Sequence, residues 1–600
     1  MLKTANWTMD HKETITKKEG YIEIIFIIIL VGAMFFFVNG KLYDNRLVHS
    51  MPFSYFATDG FAYLLLTEHA YISGNQLYHP YYEAGGYYDV LWIHGLTIYS
   101  VSAILAKTSG IPVYDAIYIM ASVMVILNCL AMYFFIREYN KNVAIIAIGF
   151  FALFFVKNFY VSYFWGELGA VSGMLFLTGM LWAVSKIDIK KGFLLLSITS
   201  IAAILAHIPE FIFAALIILG YLVFKIIIEK KIPWKDVKWI TIAMFITVVL
   251  TSYYLAVFAF GMFQTQGSNP LVLKPSEMGS LKVVFFQDIG WPAIIALAIG
   301  ITYFSYITIK NKKIIPILFF SLMLFIIGFS NYFGFGYRAF HIRAFWPIFL
   351  APLFGLGVYI VIKTIKKNIS QVVSIIVALI IFASITLSYY SPIRGPGAIT
   401  QEQYDAFKWI DKNTAQTDKI FVFYGDGYSQ SARLIQRLTY VLDVNDYVQS
   451  LQKGTIKNIY TVDLFTLTNG NLLYWDGFMK PGYHADFSTS YHIQVNVCDF
   501  EYYLFDKKSA YSPGLAQANV YIMNLFLSNG MKEVYSNDAV SVIYNNGIRE
   551  NCINMPGTNI STNSTDQSIK ESTSQSINQS TDESKNQSTD QSKNQSTIQK

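Results

Sequence analysis

The chain has 600 residues, of which 54% are hydrophobic and only 14% charged, with a mean hydropathy of +0.39 and a formal net charge of +6. A soluble globular protein of this composition would be hard to keep in solution, so the bilayer is the expected solvent for most of the chain. No nucleic-acid partner is expected.

Residues 1–20, with "HKETITKKEG", read as a cytoplasmic N-terminus. Apolar runs then recur to residue 389, each close to the length of a helix crossing a hydrocarbon core about 30 Å thick. Eleven spanning helices are predicted, near 21–39, 113–136, 143–156, 168–184, 193–206, 211–224, 239–262, 291–309, 314–329, 344–362 and 371–389. No small-residue cleavage site follows the first run, so it reads as an anchor rather than a signal peptide. With the N-terminus inside, "REYNKN", "SKIDIKKG", "KIIIEKKIPWKDVKW", "KNKK" and "KTIKKN" all fall on the cytoplasmic side, as the Lys/Arg bias of membrane proteins requires. The run "WIHGLTIYSVSAILA" at 92–106 would reverse every later loop if it spanned. It reads instead as an interfacial or re-entrant helix within a long first external loop, 40–112.

Eleven crossings leave residues 390–553 outside. "TQEQYDAFKWIDKN" reads as a helix and "KIFVFYG" as a strand, so an α/β or α+β soluble domain is expected. Cys129 lies in a membrane helix, whereas Cys498 and Cys552 are both external and available to pair, although sequence alone carries no distance between them. Residues 554–600 lack aromatics and repeat units such as "NQSTDQSK", which cannot bury enough apolar surface to order themselves. This disordered tail carries Asn-x-Ser/Thr patterns at Asn559, Asn563, Asn578, Asn586 and Asn594, and reads as a solvated stalk or an acceptor tail.

Acidic residues near spans are functional candidates because a carboxylate in hydrocarbon costs roughly 2.5–3.5 kcal/mol. Here they fall on the external side: Asp59 after the first helix, Glu167 between the third and fourth, Glu210 in "HIPE" between the fifth and sixth, and Glu277 and Asp288 between the seventh and eighth. Arg338 and Arg343, in "GYRAFHIRAFWP", lie at the outer mouth of the tenth, against the positive-inside trend. A planar guanidinium there suits an anionic phosphate. Carboxylates from separate loops beside arginines suggest a divalent cation next to a phosphate, and hence transfer from a phosphate-activated lipid.

The order of these motifs resembles the catalytic subunits of oligosaccharyltransferases of the archaeal type, which are GT-C fold glycosyltransferases. "TDGFAYLLLTEHAYISGNQLY" is similar to the family's first-loop aspartate segment, and "SYFWGELGA" falls where the family has its second acidic motif. "LKPSEMGSLKVVFFQDIG" resembles its Ser-x-Ser-Glu loop, and "HIRAFWPIFLAP" the helix whose arginine holds the lipid phosphate. The resemblance implies a metal, Mn or Mg, on Asp59, Glu167 and Glu277 as the catalytic set, with Arg343 and Arg338 on the donor phosphate. "AFKWIDKNTAQTDKIFVFYGDGY" is similar to the approach to the family's Trp-Trp-Asp-Tyr-Gly signature, which reads the acceptor and makes Asp426 and Tyr428 binding candidates. Two departures stand out: Tyr163 to Trp165 leave one carboxylate in the second motif, and the tryptophan pair is missing from the signature.

The expected function is therefore transfer of a sugar or oligosaccharide from a polyprenyl-(pyro)phosphate donor to a protein or glycan acceptor, with asparagine as one candidate, on the external face of the cell membrane. Two alternatives stay open. One is a transferase using a polyprenyl-monophosphate sugar, in which Asp59 is a general base and no metal is needed. The other is a non-catalytic protein that binds lipid-linked glycan or scaffolds a surface layer.

Overall fold

The computed structural model describes residues 17–41, 46–56, 58–91, 95–155, 166–188, 191–263, 289–330, 339–366, 368–389, 397–423, 429–442, 447, 458–464, 473–476, 480–483, 492–508, 513–549 and 552–553. The chain divides into two compact units. The first comprises Met1–His49, Ile93–Met262 and Gly267–Gly395; the second comprises Ser50–Trp92, Phe263–Gln266 and Pro396–Lys600.

The first unit is helical, and the chain is a multi-pass membrane protein. Among the described residues, six helices are long and apolar enough to cross a bilayer: Gly20–Asn39, Val113–Arg137, Leu168–Ser185, Ile208–Glu229, Trp291–Asn311 and Gln371–Ser388. The predicted span at 239–262 is instead a pair, Trp234–Leu250 and Ser252–Ala259, bent by 74°. No proline causes this break. Thr247 and Thr251 each turn a hydroxyl back onto the carbonyl four residues earlier, at 2.9 and 2.8 Å, and such back-bonding loosens a helix. The remaining four predicted spans are the shorter helices Lys141–Phe155, Gly192–Ala206, Pro316–Ile327 and Ala351–Ile365. Fifteen residues of helix reach only about 22 Å. The rejected run forms helix Thr97–Ser109, whose 13 residues are likewise too short to span; it packs on Val113–Arg137.

Without a strong hydrophobic drive between helices in lipid, small residues and polar pairs must hold the bundle. A Cβ on Gly357 would lie 1.8 Å from the Ala296 carbonyl oxygen, and one on Gly300 would lie 2.2 Å from that of Leu353. These glycines let Trp291–Asn311 and Ala351–Ile365 touch backbone to backbone. Glu23 on the first helix is buried; Tyr133 and Arg137 donate to it, and Lys141 Nζ lies 3.3 Å away. That cluster ties the first helix to Val113–Arg137.

The second unit is an α/β domain. Its described strands are β1 (Lys419–Phe423), β2 (Leu438–Leu442), β3 (Ile459–Leu464), β4 (Leu473–Asp476), β5 (Lys480–Tyr483), β6 (His492–Asn496), β7 (Tyr502–Asp506), β8 (Lys532–Ser536) and β9 (Val540–Tyr544). Seven form a mixed sheet in the order β6-β3-β2-β1-β7-β9-β8, parallel at β1–β2 and β1–β7, while β4 and β5 pair by themselves. Helix Gln401–Asn413 starts with a capping box between Thr400 and Gln403, as the predicted helix there requires. The core beside helix Pro513–Ser528 is aromatic: Phe423 stacks on Phe505 at 4.4 Å, and Phe526 meets both edge-on.

Cys498 and Cys552 form a disulfide, with 5.5 Å between Cα atoms and 54 residues of separation. Closing a loop of that length stabilises a fold by about 4 kcal/mol in the chain-entropy account. The Cys498→Ser, Cys552→Ser double variant should therefore lose about that much, read as faster hydrogen exchange in peptides covering β6, β7 and β9. Unchanged protection there would mean the bridge contributes no stability.

Residues of the segment Ser50–Trp92 join this unit. Helix Thr58–Ser73 directs Glu68 to Gln436 and to Lys408 Nζ at 3.5 Å, and the Tyr55 carbonyl accepts from the Ala398 amide at 2.8 Å. Glu83 is buried opposite Arg433, also buried, at 3.4 Å. Burial pushes the Glu83 carboxyl up to about 7, with Arg433 opposing. Because the folded pKa is raised, the associated stability is fully present below the ordinary Glu value and is lost as pH rises through about 7. Protection factors of peptides covering 81–91 and 429–442 should therefore fall between about pH 5 and 7.5, by on the order of 3 kcal/mol. Glu83→Gln should flatten that profile; an unchanged slope in the variant would remove Glu83 as its source.

Candidate functional site

The first unit gathers four ionisable side chains around one buried point. Helix Gly192–Ala206 stops at His207, whose backbone is extended (φ −168°, ψ 113°), and Ile208–Glu229 restarts at once with Pro209 in its first turn. Proline suits that position because its missing N–H has no helical partner there. Glu210 therefore sits in a helix first turn, where unpaired amides favour a carboxylate. It is fully buried, and its carboxylate pairs with Nδ1 of His207, three residues earlier. Gly173 makes this packing feasible: a Cβ there would stand 2.8 Å from Glu210 Oε2 and 3.1 Å from the His207 Cβ.

Glu167 is the residue before helix Leu168–Ser185 and is half-buried. Facing it is His341, fully buried on the short helix Ala339–Ala344. Its Nε2 is 2.9 Å from Glu167 Oε2, and its Nδ1 is 3.4 Å from Glu210 Oε1. The His207 and His341 rings stand 5.6 Å apart. Burial alone would push the His341 imidazole down, but the Glu167 and Glu210 carboxylates outweigh it and hold its pKa up at about 9. Arg343 follows two residues later, a spacing that turns it to another side of the helix. It is buried and donates through Nη1 to the Gly328 carbonyl at 2.8 Å.

Of the expected site residues, Glu167 belongs to this cluster and Arg343 lies on the same short helix as His341. Asp59 belongs to the second unit. It is exposed in the first turn of helix Thr58–Ser73 rather than in a loop, so the helix N-terminus already favours its charge. Glu277, Asp288, Arg338, Asp426 and Tyr428 lie outside the described residues, as do Tyr163 to Trp165. Sequence reasoning singled out Glu210 but left it out of the site, and passed over both histidines. A usable signal was present: His207 and Glu210 stand at i, i+3 in "HIPE", and His341 interrupts the apolar "AFHIRAF".

A divalent cation fits these residues. His207, Glu210 and His341 each offer a ligand atom, and the three atoms lie within 4.8 Å of one another. Nδ1 of His341 and Oε1 of Glu210 are buried and, although 3.4 Å apart, are not aligned in a hydrogen bond. Two imidazoles and a carboxylate form a donor set suited to zinc and its neighbours rather than to calcium or magnesium.

No family model and no curated protein sequence matches the chain. Solved structures do. ArnT from Cupriavidus metallidurans in the apo state superposes with a TM-score of 0.51 at 9% identity, covering 88% of this chain and 98% of ArnT. ArnT bound to undecaprenyl phosphate gives 0.51 at 10% identity, covering 87% and 98%. The Archaeoglobus fulgidus oligosaccharyltransferase tethered with an acceptor peptide gives 0.42 at 12% identity, covering 88% and 82%, which is too distant to weigh on subtype. The likeness to ArnT, a GT-C glycosyltransferase, runs through nearly the whole of both chains, and the fold of this chain is the GT-C fold.

Proposed function

We propose that the chain is a membrane glycosyltransferase that takes a sugar or oligosaccharide from a polyprenyl-phosphate-linked donor on the external face of the membrane. The observation that carries this reading is the fold shared with ArnT, one structure of which holds undecaprenyl phosphate. A buried Arg343 on the same short helix as His341 supports it, because a guanidinium there suits a phosphate while the carboxylates and histidines around His341 are able to hold a metal or move a proton. Arg343 binds the donor phosphate and offsets the charge that develops as the glycosyl bond breaks. Arg338 assists it, while Asp59 engages the acceptor. A divalent cation, when bound, supplies positive charge that orients the acceptor and neutralises the carboxylates. Asp426 and Tyr428 contribute to acceptor binding.

The undecaprenyl phosphate complex favours a monophosphate-linked donor over a pyrophosphate-linked one. The cell-membrane setting with the N-terminus inside and the C-terminal domain outside is supported by the Lys/Arg bias and by the disulfide, since such bridges persist in oxidising compartments.

The test is to incubate the purified full-length protein in lipid with polyprenyl-monophosphate and polyprenyl-pyrophosphate sugars, each with manganese or with chelator, and to measure the released lipid. Release of polyprenyl phosphate supports the monophosphate reading, and release of polyprenyl pyrophosphate supports the oligosaccharyltransferase-like one. Binding of lipid-linked glycan without any release favours the scaffold.

A further inference from the structure

We propose that His207, Glu210 and His341 form a three-ligand site for a divalent transition metal of the zinc class, with Glu167 held against the far nitrogen of His341 instead of on the metal. This ligand set differs from the carboxylate set Asp59, Glu167 and Glu277 that the sequence resemblance implies. It rests on the geometry of the first unit and not on the transferase reading, so the two stand or fall separately.

Four observations converge on it. First, ligand atoms around a tetrahedral zinc stand about 3.3 Å apart, given bond lengths near 2.0–2.2 Å. Those of His207, Glu210 and His341 are within 4.8 Å of one another, so a small inward rotation of side chains closes the site. Second, the site is buried and under-satisfied at the ligand atoms: Nδ1 of His341 and Oε1 of Glu210 are 3.4 Å apart and not aligned in a hydrogen bond. A buried polar atom left so is destabilising, and one cation would engage the ligands together. Third, the donor chemistry is selective, because imidazole nitrogen is a poor ligand for magnesium or calcium and a good one for zinc, copper, iron or nickel.

Fourth, the arrangement around His341 matches how proteins orient a metal-bound histidine. Its Nδ1 faces Glu210 and the cluster, while its Nε2 lies 2.9 Å from Glu167 Oε2. A ligating histidine almost always donates its other ring N–H to a carboxylate or carbonyl, which fixes the tautomer and strengthens the donor. In this role Glu167 is a positioning residue. The frame is rigid: His207 is locked between two helices, Gly173 lets the third approach without a side chain, and three protein ligands leave a fourth position open.

Full-length protein in lipid nanodiscs, stripped with chelator, is titrated with Zn(II) and with Co(II) as a spectroscopic probe, and its metal content and thermal midpoint are measured. One zinc per chain, a Co(II) spectrum of low coordination number and a raised midpoint are expected. Binding should disappear in His207→Ala, Glu210→Gln and His341→Ala; His341→Gln, which keeps side-chain bulk, separates loss of a ligand from loss of fold. Glu167→Gln should keep the stoichiometry but bind about 10–100-fold more weakly, and Asp59→Asn should bind as the wild type does. Failure of the folded wild-type protein to bind zinc would leave the four groups as an ion-pair network and overturn the proposal. So would unchanged affinity in both histidine variants, or loss of the metal in Asp59→Asn with retention in His207→Ala.

Discussion

Arg343→Ala is expected to lower turnover by about 10²–10³-fold, the usual consequence of removing one donor aimed at a charge that develops in the transition state. Arg343→Lys should recover only part of this, since a point charge does not reproduce the planar guanidinium fork. The side chain also has a structural partner, the Gly328 carbonyl at 2.8 Å, and losing a charged hydrogen bond costs about 1.5–3 kcal/mol. The two effects separate experimentally. A structural role lowers the folded fraction, whereas a phosphate role weakens binding of the donor or of free polyprenyl phosphate in the protein that remains folded. Wild-type turnover in folded Arg343→Ala would rule the phosphate role out.

The membrane helices were readable in the sequence because lipid leaves the backbone little choice. With no water to satisfy its amides, an apolar run must be helical, and every predicted run among the described residues is. Length was harder to read. The run at 239–262 looks uniform, and its apolar pattern carries no mark of the 74° bend between Trp234–Leu250 and Ser252–Ala259. The cysteines illustrate a related limit. Cys498 and Cys552 were recognisable as candidates, but their pairing depends on the folded path of the chain across a separation of 54 positions.

The buried cluster was the least readable feature because it is assembled across the chain. Glu167, the His207–Glu210 pair and His341 come from three separate stretches, and none carries a motif that announces metal or proton chemistry by itself. A lone histidine between two apolar helices reads as a turn residue until a second one, 134 positions later, stands with its ring 5.6 Å away. Attention to the carboxylates alone found half of the group. The burial of His341 between two carboxylates, which gives the cluster its chemical interest, is a property of packing that no spacing rule encodes.

Asp59 poses the sharpest test of the transferase reading. Its carboxylate lies in the first turn of helix Thr58–Ser73 and is exposed, so the helix N-terminus supplies a bland reason for an acidic residue there, one worth about 0.3–1 kcal/mol. Asp59→Asn removes the charge while keeping an oxygen able to accept from the first-turn amides, and should therefore shift stability by less than about 1 kcal/mol. A carboxylate that engages the acceptor as a base or through a metal contributes about 10²–10⁴-fold to rate. The expected result is loss of transfer by at least about 10²-fold, with the thermal midpoint and donor binding near those of the wild type. Asp59→Glu adds a discriminating arm: a base that must reach one position loses rate when its stem is lengthened, whereas a residue that only favours the helix start is indifferent to the change. If Asp59→Asn and Asp59→Glu both transfer at the wild-type rate, the carboxylate serves the helix and the chemistry must be sought in the buried cluster of the first unit.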